Sequence, residues 1–225
     1  MNIKAILNQA LSEAGFREEE SFFVSPSKEA KQLAALANRE LNFLQKENWQ
    51  ELIKTHAVAM TTSETYSLPS DYRQYVFDTA FTEDRKAWFP ISPEKWSYDE
   101  ARDTISGRAP EIRIIDGQLA IRNPGDGVTL RLEYISKNAV LDTDGTTYKE
   151  RFEADSDTFV LNDDLLILGV LWRFKKAKGL DFQAELAEAQ AMKRKELSTN
   201  KNAQTIYFGD GPYYGPVAPY ADLYV

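Results

Sequence analysis

At 225 residues, with 43% hydrophobic and 12% aromatic content, the chain is long and apolar enough to bury a core in one large domain or two small ones. Its 27 Lys and Arg stand against 35 Asp and Glu, a formal net charge of −8, so its summed field repels polyanions and disfavours tight nucleic-acid binding. The absence of cysteine excludes disulfides and thiolate metal sites and fits synthesis in a reducing cytoplasm.

No apolar run approaches the ~20 residues of a membrane span. Met1 to Ala14 lacks the charged start and apolar stretch of a signal peptide, so a soluble, unexported protein is expected. Ile3, Ile6, Leu7, Ala10 and Leu11 recur at three-and-four spacing and predict a first helix, closed near Gly15. Ser25 as cap and Pro26 at the first position predict a second helix to about Lys46, with Leu33, Ala34, Ala37, Leu41 and Leu44 on one stripe.

From Trp49 onward the texture changes. The runs Thr55 to Thr61, Tyr75 to Phe81, Glu111 to Ile115, Leu119 to Arg122 and Val128 to Tyr134 are rich in β-branched and aromatic residues, and Asp116-Gly117 is a hairpin signal between two of them. Helical periodicity then returns. Asn162 can cap a segment that is apolar nearly all round from Leu165 to Trp172, predicting a buried helix that ends at Gly179 with Leu165, Leu168 and Trp172 as core residues. A fourth helix is expected from Asp181 to about Leu197, with Phe182, Leu186 and Ala189 on its inner side. The basic run Arg173, Lys175, Lys176 and Lys178 sits where cations complement the negative pole of a helix.

The predicted fold class is therefore α+β: a four-helix bundle-like domain (1–48 plus 158–198), an inserted antiparallel β domain (49–157) and an extended C-terminal tail (199–225). The tail combines Gly and Pro with Tyr207, Phe208, Tyr213, Tyr214, Tyr220, Leu223 and Tyr224. Solvated chains are ordinarily poor in aromatics, so these residues are candidates for binding a partner; packing back on their own subunit is the alternative. Fully extended, the segment reaches roughly 90 Å.

Chemistry-bearing patterns are sparse. His56 is the only histidine and has no nucleophile or orienting acid beside it in sequence. Gly209-Asp210-Gly211 lacks the strand-to-helix context of a phosphate loop. Asp142, Asp144, Thr146, Tyr148, Glu150 and Glu153 follow a calcium-loop spacing, but Thr147 stands where the turn requires glycine. The carboxylates Asp99, Glu100, Asp103, Asp155 and Asp157, and the aromatics Trp88, Phe89, Trp96 and Tyr98, keep two alternatives open: a glycan hydrolase or a sugar-binding module. No catalytic residue, metal site or cofactor is assigned.

Four stretches in order carry a family likeness: Leu7 to Phe16, Tyr66-Ser-Leu-Pro-Ser-Asp71-Tyr72, Leu132-Glu-Tyr-Ile-Ser136, and Asp157 to Asp181, with its Asp157-Thr-Phe-Val-Leu-Asn-Asp-Asp164 and Trp172-Arg-Phe-Lys-Lys-Ala-Lys-Gly179-Leu-Asp181. In these the chain resembles the head-to-tail adaptors of short-tailed bacteriophages, the tail tubular protein A type. The resemblance implies a non-enzymatic virion protein: a ring of twelve copies between the portal protein and the tail nozzle protein, made in the host cytoplasm. It also implies that the aromatic tail docks on the portal and that DNA passes through the lumen without specific binding, which an anionic wall would favour.

Overall fold

The apolar stripes read from the sequence converge on one helix. The computed structural model describes residues 1–61, 63–100, 109–125 and 127–200. Helix α1, Ile3–Glu13, begins where the Asn2 side chain accepts from the Ala5 N–H (2.9 Å), and it buries the five residues of the predicted stripe. It stops at Gly15, whose φ of +76° is the left-handed conformation that suits glycine. Helix α2, Lys28–Leu44, buries Ala30, Leu33, Ala37, Glu40, Leu41 and Leu44. Its cap is Ser27, which accepts from the Ala30 N–H, rather than Ser25; the Ser25 hydroxyl is engaged with the Ser27 N–H.

A single 3-10 turn, Gln50–Leu52, leads into the β region. Strands β1 (Ile53–Ala59), β2 (Thr65–Ser67) and β3 (Tyr72–Tyr75) precede a short helix α3 (Pro93–Glu100); β4 (Glu111–Ile115), β5 (Gln118–Arg122) and β6 (Thr129–Ser136) follow. Three short strands, β7 (Val140–Leu141), β8 (Tyr148–Lys149) and β9 (Thr158–Phe159), lead back to helices α4 (Asp163–Ala177) and α5 (Gln183–Asn200). The strands form three antiparallel sheets in the orders β1-β6-β3, β2-β5-β4 and β8-β7-β9. Alternation explains β6: Leu130, Leu132 and Tyr134 face inward while Arg131 is exposed. The β4–β5 hairpin turns at Asp116 and Gly117, both at positive φ (50° and 73°), as the tight two-residue turn requires.

One extended reading changes, and one helix is added. The run Tyr75 to Phe81 is not one strand, because Asp78 adopts a φ of 63° and turns the chain; Phe81 makes only isolated bridges to Lys86 and Arg131. Helix α3 lies in a stretch where no helix was expected.

Helix α4 is the centre of the helical part and packs against α1, α2 and α5. The Asn162 side chain caps it by accepting from the Asp164 N–H, and Leu165, Leu166, Ile167, Gly169, Val170, Leu171 and Phe174 are buried. This placement alters the core expected from sequence. Leu165 is buried, but Leu168 and Trp172 are only half-buried, and Trp172 lines a groove between α2 and α5. The deeply buried aromatic is Phe174, edge-on to Phe16 at 5.1 Å between ring centroids.

Two large apolar clusters result. One joins the helices and also takes in Trp49, Leu52, Ile135, Ala139, Val140, Phe152 and Phe159, so β7 to β9 pack on the helical side. The other lies between the first two sheets, around Val58, Met60, Tyr75, Ile112, Leu119, Ile121, Leu130, Leu132 and Tyr134.

Candidate functional site

The family-like stretches meet each other inside the fold. Asp71, from the Tyr66–Tyr72 stretch, accepts from the hydroxyls of Tyr134 (2.8 Å) and Ser136 (2.8 Å), both from the Leu132–Ser136 stretch, and from Lys54 Nζ at 2.7 Å. Its backbone carbonyl takes the Lys137 N–H. Burial alone would raise the Asp71 carboxyl, but hydrogen bonds from Lys54, Ser136 and Tyr134 outweigh it and pull the pKa down to about 2.

A depressed carboxylate stabilises the fold above its unfolded pKa, and that contribution disappears as pH falls through the folded value. Asp71 should therefore contribute at neutral pH and lose its contribution between about pH 4 and pH 2. Asp71→Asn is expected to lower stability at pH 7 by about 1–3 kcal/mol and to flatten the loss in that acid window. Urea unfolding midpoints measured from pH 7 to pH 2 check both.

A second clamp uses Asp157, which is fully buried. Its Oδ1 accepts from Lys149 Nζ (2.6 Å), its Oδ2 accepts from the N–H groups of Glu153 (2.7 Å) and Ala154 (2.9 Å), and its carbonyl takes the Ile3 N–H at 2.7 Å. Nearby, Asp155 accepts from the Ser21 hydroxyl (2.5 Å) and the Phe22 N–H (2.9 Å), pinning the α1–α2 connection. A third clamp is ionic: Glu40 on α2 and Arg173 on α4 pair where both side chains are nearly buried. Gly169 makes room for it, since a Cβ there would stand 2.5 Å from Glu40 Cγ.

Several of the candidate chemical groups are thus engaged in holding the fold. Asp155 and Asp157, weighed as a catalytic pair, are occupied as above; Asp99, Glu100 and Asp103 lie outside the described side chains. Trp88, Phe89, Trp96 and Tyr98 do not form one platform: Trp88 is exposed, Phe89 packs edge-on to Tyr75 (5.5 Å), and Trp96 is buried with the Arg122 guanidinium 3.9 Å from its ring centroid. His56 Nδ1 bonds the Tyr75 hydroxyl at 2.7 Å, and burial pushes the imidazole pKa down, so it stays neutral at pH 7.

In the loop with calcium-like spacing, Asp144 accepts from the Thr146 and Thr147 N–H groups and the Thr147 hydroxyl, which hold its carboxyl well below the usual range. Asp142 accepts from the Thr143 N–H and pairs with Lys149. Among the described residues no group of three or more acidic, His or Cys side chains could hold a metal, and no helix is long and apolar enough to cross a membrane.

The basic run on α4 is likewise largely absorbed by ion pairs, Lys175 with Glu185 (2.5 Å) and Lys178 with Glu29 (2.7 Å) beside the Arg173 clamp. Lys176 is exposed, 5.5 Å from the Phe182 ring centroid. It borders a groove of about 650 Å³ between α2 and α5, floored by α4. Aromatic faces and cations alternate along it: Arg173 stands 4.3 Å from the Trp172 centroid and Lys193 4.0 Å from that of Phe43. Sequence reasoning missed this groove because its cations come from three separate helices. The tail candidates Tyr207, Phe208, Tyr213, Tyr214, Tyr220, Leu223 and Tyr224 lie outside the described residues.

No curated protein matches the chain. A family model described as SU10 adaptor protein matches residues 1–215, so the likeness to tail tubular protein A remains a resemblance. With that match spanning nearly the whole sequence, and its polar residues built into the scaffold, the chain belongs to the SU10 adaptor protein family, a family of phage head-to-tail adaptors.

Proposed function

We propose that this phage adaptor works as a ring, of twelve copies by the resemblance, that joins the portal protein to the tail nozzle protein and lets DNA pass through its lumen. Family membership over residues 1–215 carries this reading. The commitment of Asp71, Asp155, Asp157 and His56 to structural hydrogen bonds supports a scaffold role over a glycan hydrolase or sugar-binding module. The net charge of −8 supports passage of DNA without adhesion.

In this reading the helical part (1–48 with 158–198) is the ring body, the β part (49–157) is an insert, and the tail (199–225) is the portal-binding arm. Synthesis in the host cytoplasm and residence at the head–tail junction of the virion belong to the same proposal. A mass measurement on a mixture of portal and adaptor is the direct test: a portal ring carrying a fixed number of adaptors is expected, and a portal that gains no mass rejects the reading.

Binding through Tyr207, Phe208, Tyr213, Tyr214, Tyr220, Leu223 and Tyr224 has its own test. A chain ending after Asn200 is expected to unfold at the same urea concentration as the full chain yet to lose co-sedimentation with portal rings. Undiminished co-sedimentation would remove the portal-binding role from these residues.

A further inference from the structure

We propose that the groove between α2 and α5 receives the α1–α2 connection of a second copy of this chain, a head-to-tail contact from which a ring can close. This rests on the ring reading above and assigns the contact that would build it.

The groove is apolar at its base and cationic at its rim. Phe43, 46% exposed, and the half-buried Trp172 and Leu186 line it, and Arg39, Lys46 and Lys176 stand exposed at its edge. Arg173 and Lys193 in the groove are already paired, with Glu40 and with Glu47 (2.6 Å); in a chain of net charge −8 the exposed Arg39, Lys46 and Lys176 are the cations that favour an anionic counterpart around an apolar centre. Full desolvation of an unsuited polar partner would be costly, so the rim selects as well as attracts.

The α1–α2 connection has that chemistry. Glu13, Glu18, Glu19 and Glu20 face only Arg17 as a cation in the stretch from Glu13 to Val24. Val24 is 86% exposed and follows the half-buried Phe23, so an apolar knob stands beside carboxylates. The segment has no regular secondary structure, yet it is held firmly. Asn8 exchanges two hydrogen bonds with the Glu19 backbone (3.1 and 2.9 Å), Ser27 donates to the Glu19 carboxylate (2.8 Å), Asp155 grips Ser21 and Phe22, and the Phe22 side chain is buried. A pre-ordered projection loses little entropy when it binds.

The two surfaces are different patches of one subunit, so their pairing is heterologous. Repetition of a heterologous contact gives a ring when its rotation closes, and an open filament when it does not. The carboxylates would pair with the rim cations, and Val24 with Phe23 would cover Phe43 and Trp172.

The test uses charge reversal in the full chain, with assembly followed by sedimentation velocity, alone and with portal present. Arg39→Glu/Lys176→Glu is expected to raise the concentration at half-assembly by about tenfold or more, and Glu18→Lys/Glu20→Lys to do the same. The chain carrying all four changes is expected to assemble again, because each surface then meets its new complement. All four positions are at the surface, so unchanged thermal unfolding verifies that the subunits are intact.

Assembly that ignores the reversals, or a four-fold variant as dispersed as the two doubles, overturns the inference while wild-type rings still uphold the ring reading. A wild-type chain that never assembles, even on portal, sinks the ring reading itself and this contact with it. Two other occupants would also overturn it: a peptide of residues 201–225 that binds the Asn200-truncated chain and is lost with Arg39→Glu/Lys176→Glu, or a short DNA duplex that behaves the same way.

Discussion

Replacing Arg173 with Met is expected to cost about 3–5 kcal/mol of stability, the scale for removing one partner of a buried ion pair. Glu40 is 5% exposed, and burial already raises its pKa, with the Arg173 charge and hydrogen bond the main counterweight. Without the guanidinium, the carboxylate would lose its hydrogen-bonded partner beside Gly169 and keep only the weaker charge interactions of Lys193 and Arg39. An acid whose folded pKa is raised loses stability as pH climbs through it. Arg173→Met should therefore be least damaging in mild acid, where Glu40 is protonated, and most damaging at neutral pH. The double variant Glu40→Met/Arg173→Met should recover most of the loss, since well-packed apolar replacements of a buried pair are often close to neutral. Urea unfolding of the three proteins at pH 5 and pH 8 reads these outcomes. A single variant as stable at pH 8 as the wild type would show that water reaches Glu40.

The second large effect is expected at Phe174. It is fully buried on α4, edge-on to Phe16 just beyond α1, so Phe174→Ala should cost about 3–5 kcal/mol. Trp172→Ala, two residues earlier, should cost roughly half as much, because only part of its ring leaves water on folding. Unfolding midpoints of the two variants, compared at equal denaturant dependence, test the order. A larger loss at Trp172 would mean that the groove is closed in solution.

These two positions also show how far periodicity carries. The five buried residues of α1 and the stripe of α2 follow the three-and-four spacing, because each of those helices has a single neighbour-facing side. Helix α4 touches three other helices, so its apolar residues cover nearly its whole circumference, and spacing cannot tell Phe174 from Trp172. The orientation is settled by which neighbours arrive where, and that is tertiary information.

The β region carries further signals. Ser92-Pro93-Glu94 is as good a helix start as Ser25-Pro26, and the Ser92 hydroxyl accepts from the Lys95 N–H at the beginning of α3. The strands β7 to β9 have two residues each, too few to show alternation. Asp157 reads in sequence as one of a candidate carboxylate pair and Asp71 only as part of a family-like stretch, since nothing in one dimension reveals that Lys149, Tyr134 and Ser136 converge on them. Their appearance inside the family-like stretches was the usable hint. Buried polar groups are nearly always hydrogen-bonded, and here those bonds join two of the family-like stretches to each other.

The union of the chain's beginning with a segment two thirds of the way along has a consequence for synthesis. Ile3 is bound through its N–H to the Asp157 carbonyl, Asn2 bridges to Thr158, and the apolar side of α1 is covered by α4. On a ribosome adding about 5–20 residues per second, α1 emerges roughly 8–30 s before the residues that cover it. For that interval the apolar side of α1, with Ile3, Ile6, Leu7 and Leu11, lacks the α4 surface that covers it in the finished fold. A prematurely terminated chain lacking α4 never acquires its helical core. The last third of the chain is therefore what completes the helical core begun by its first helix.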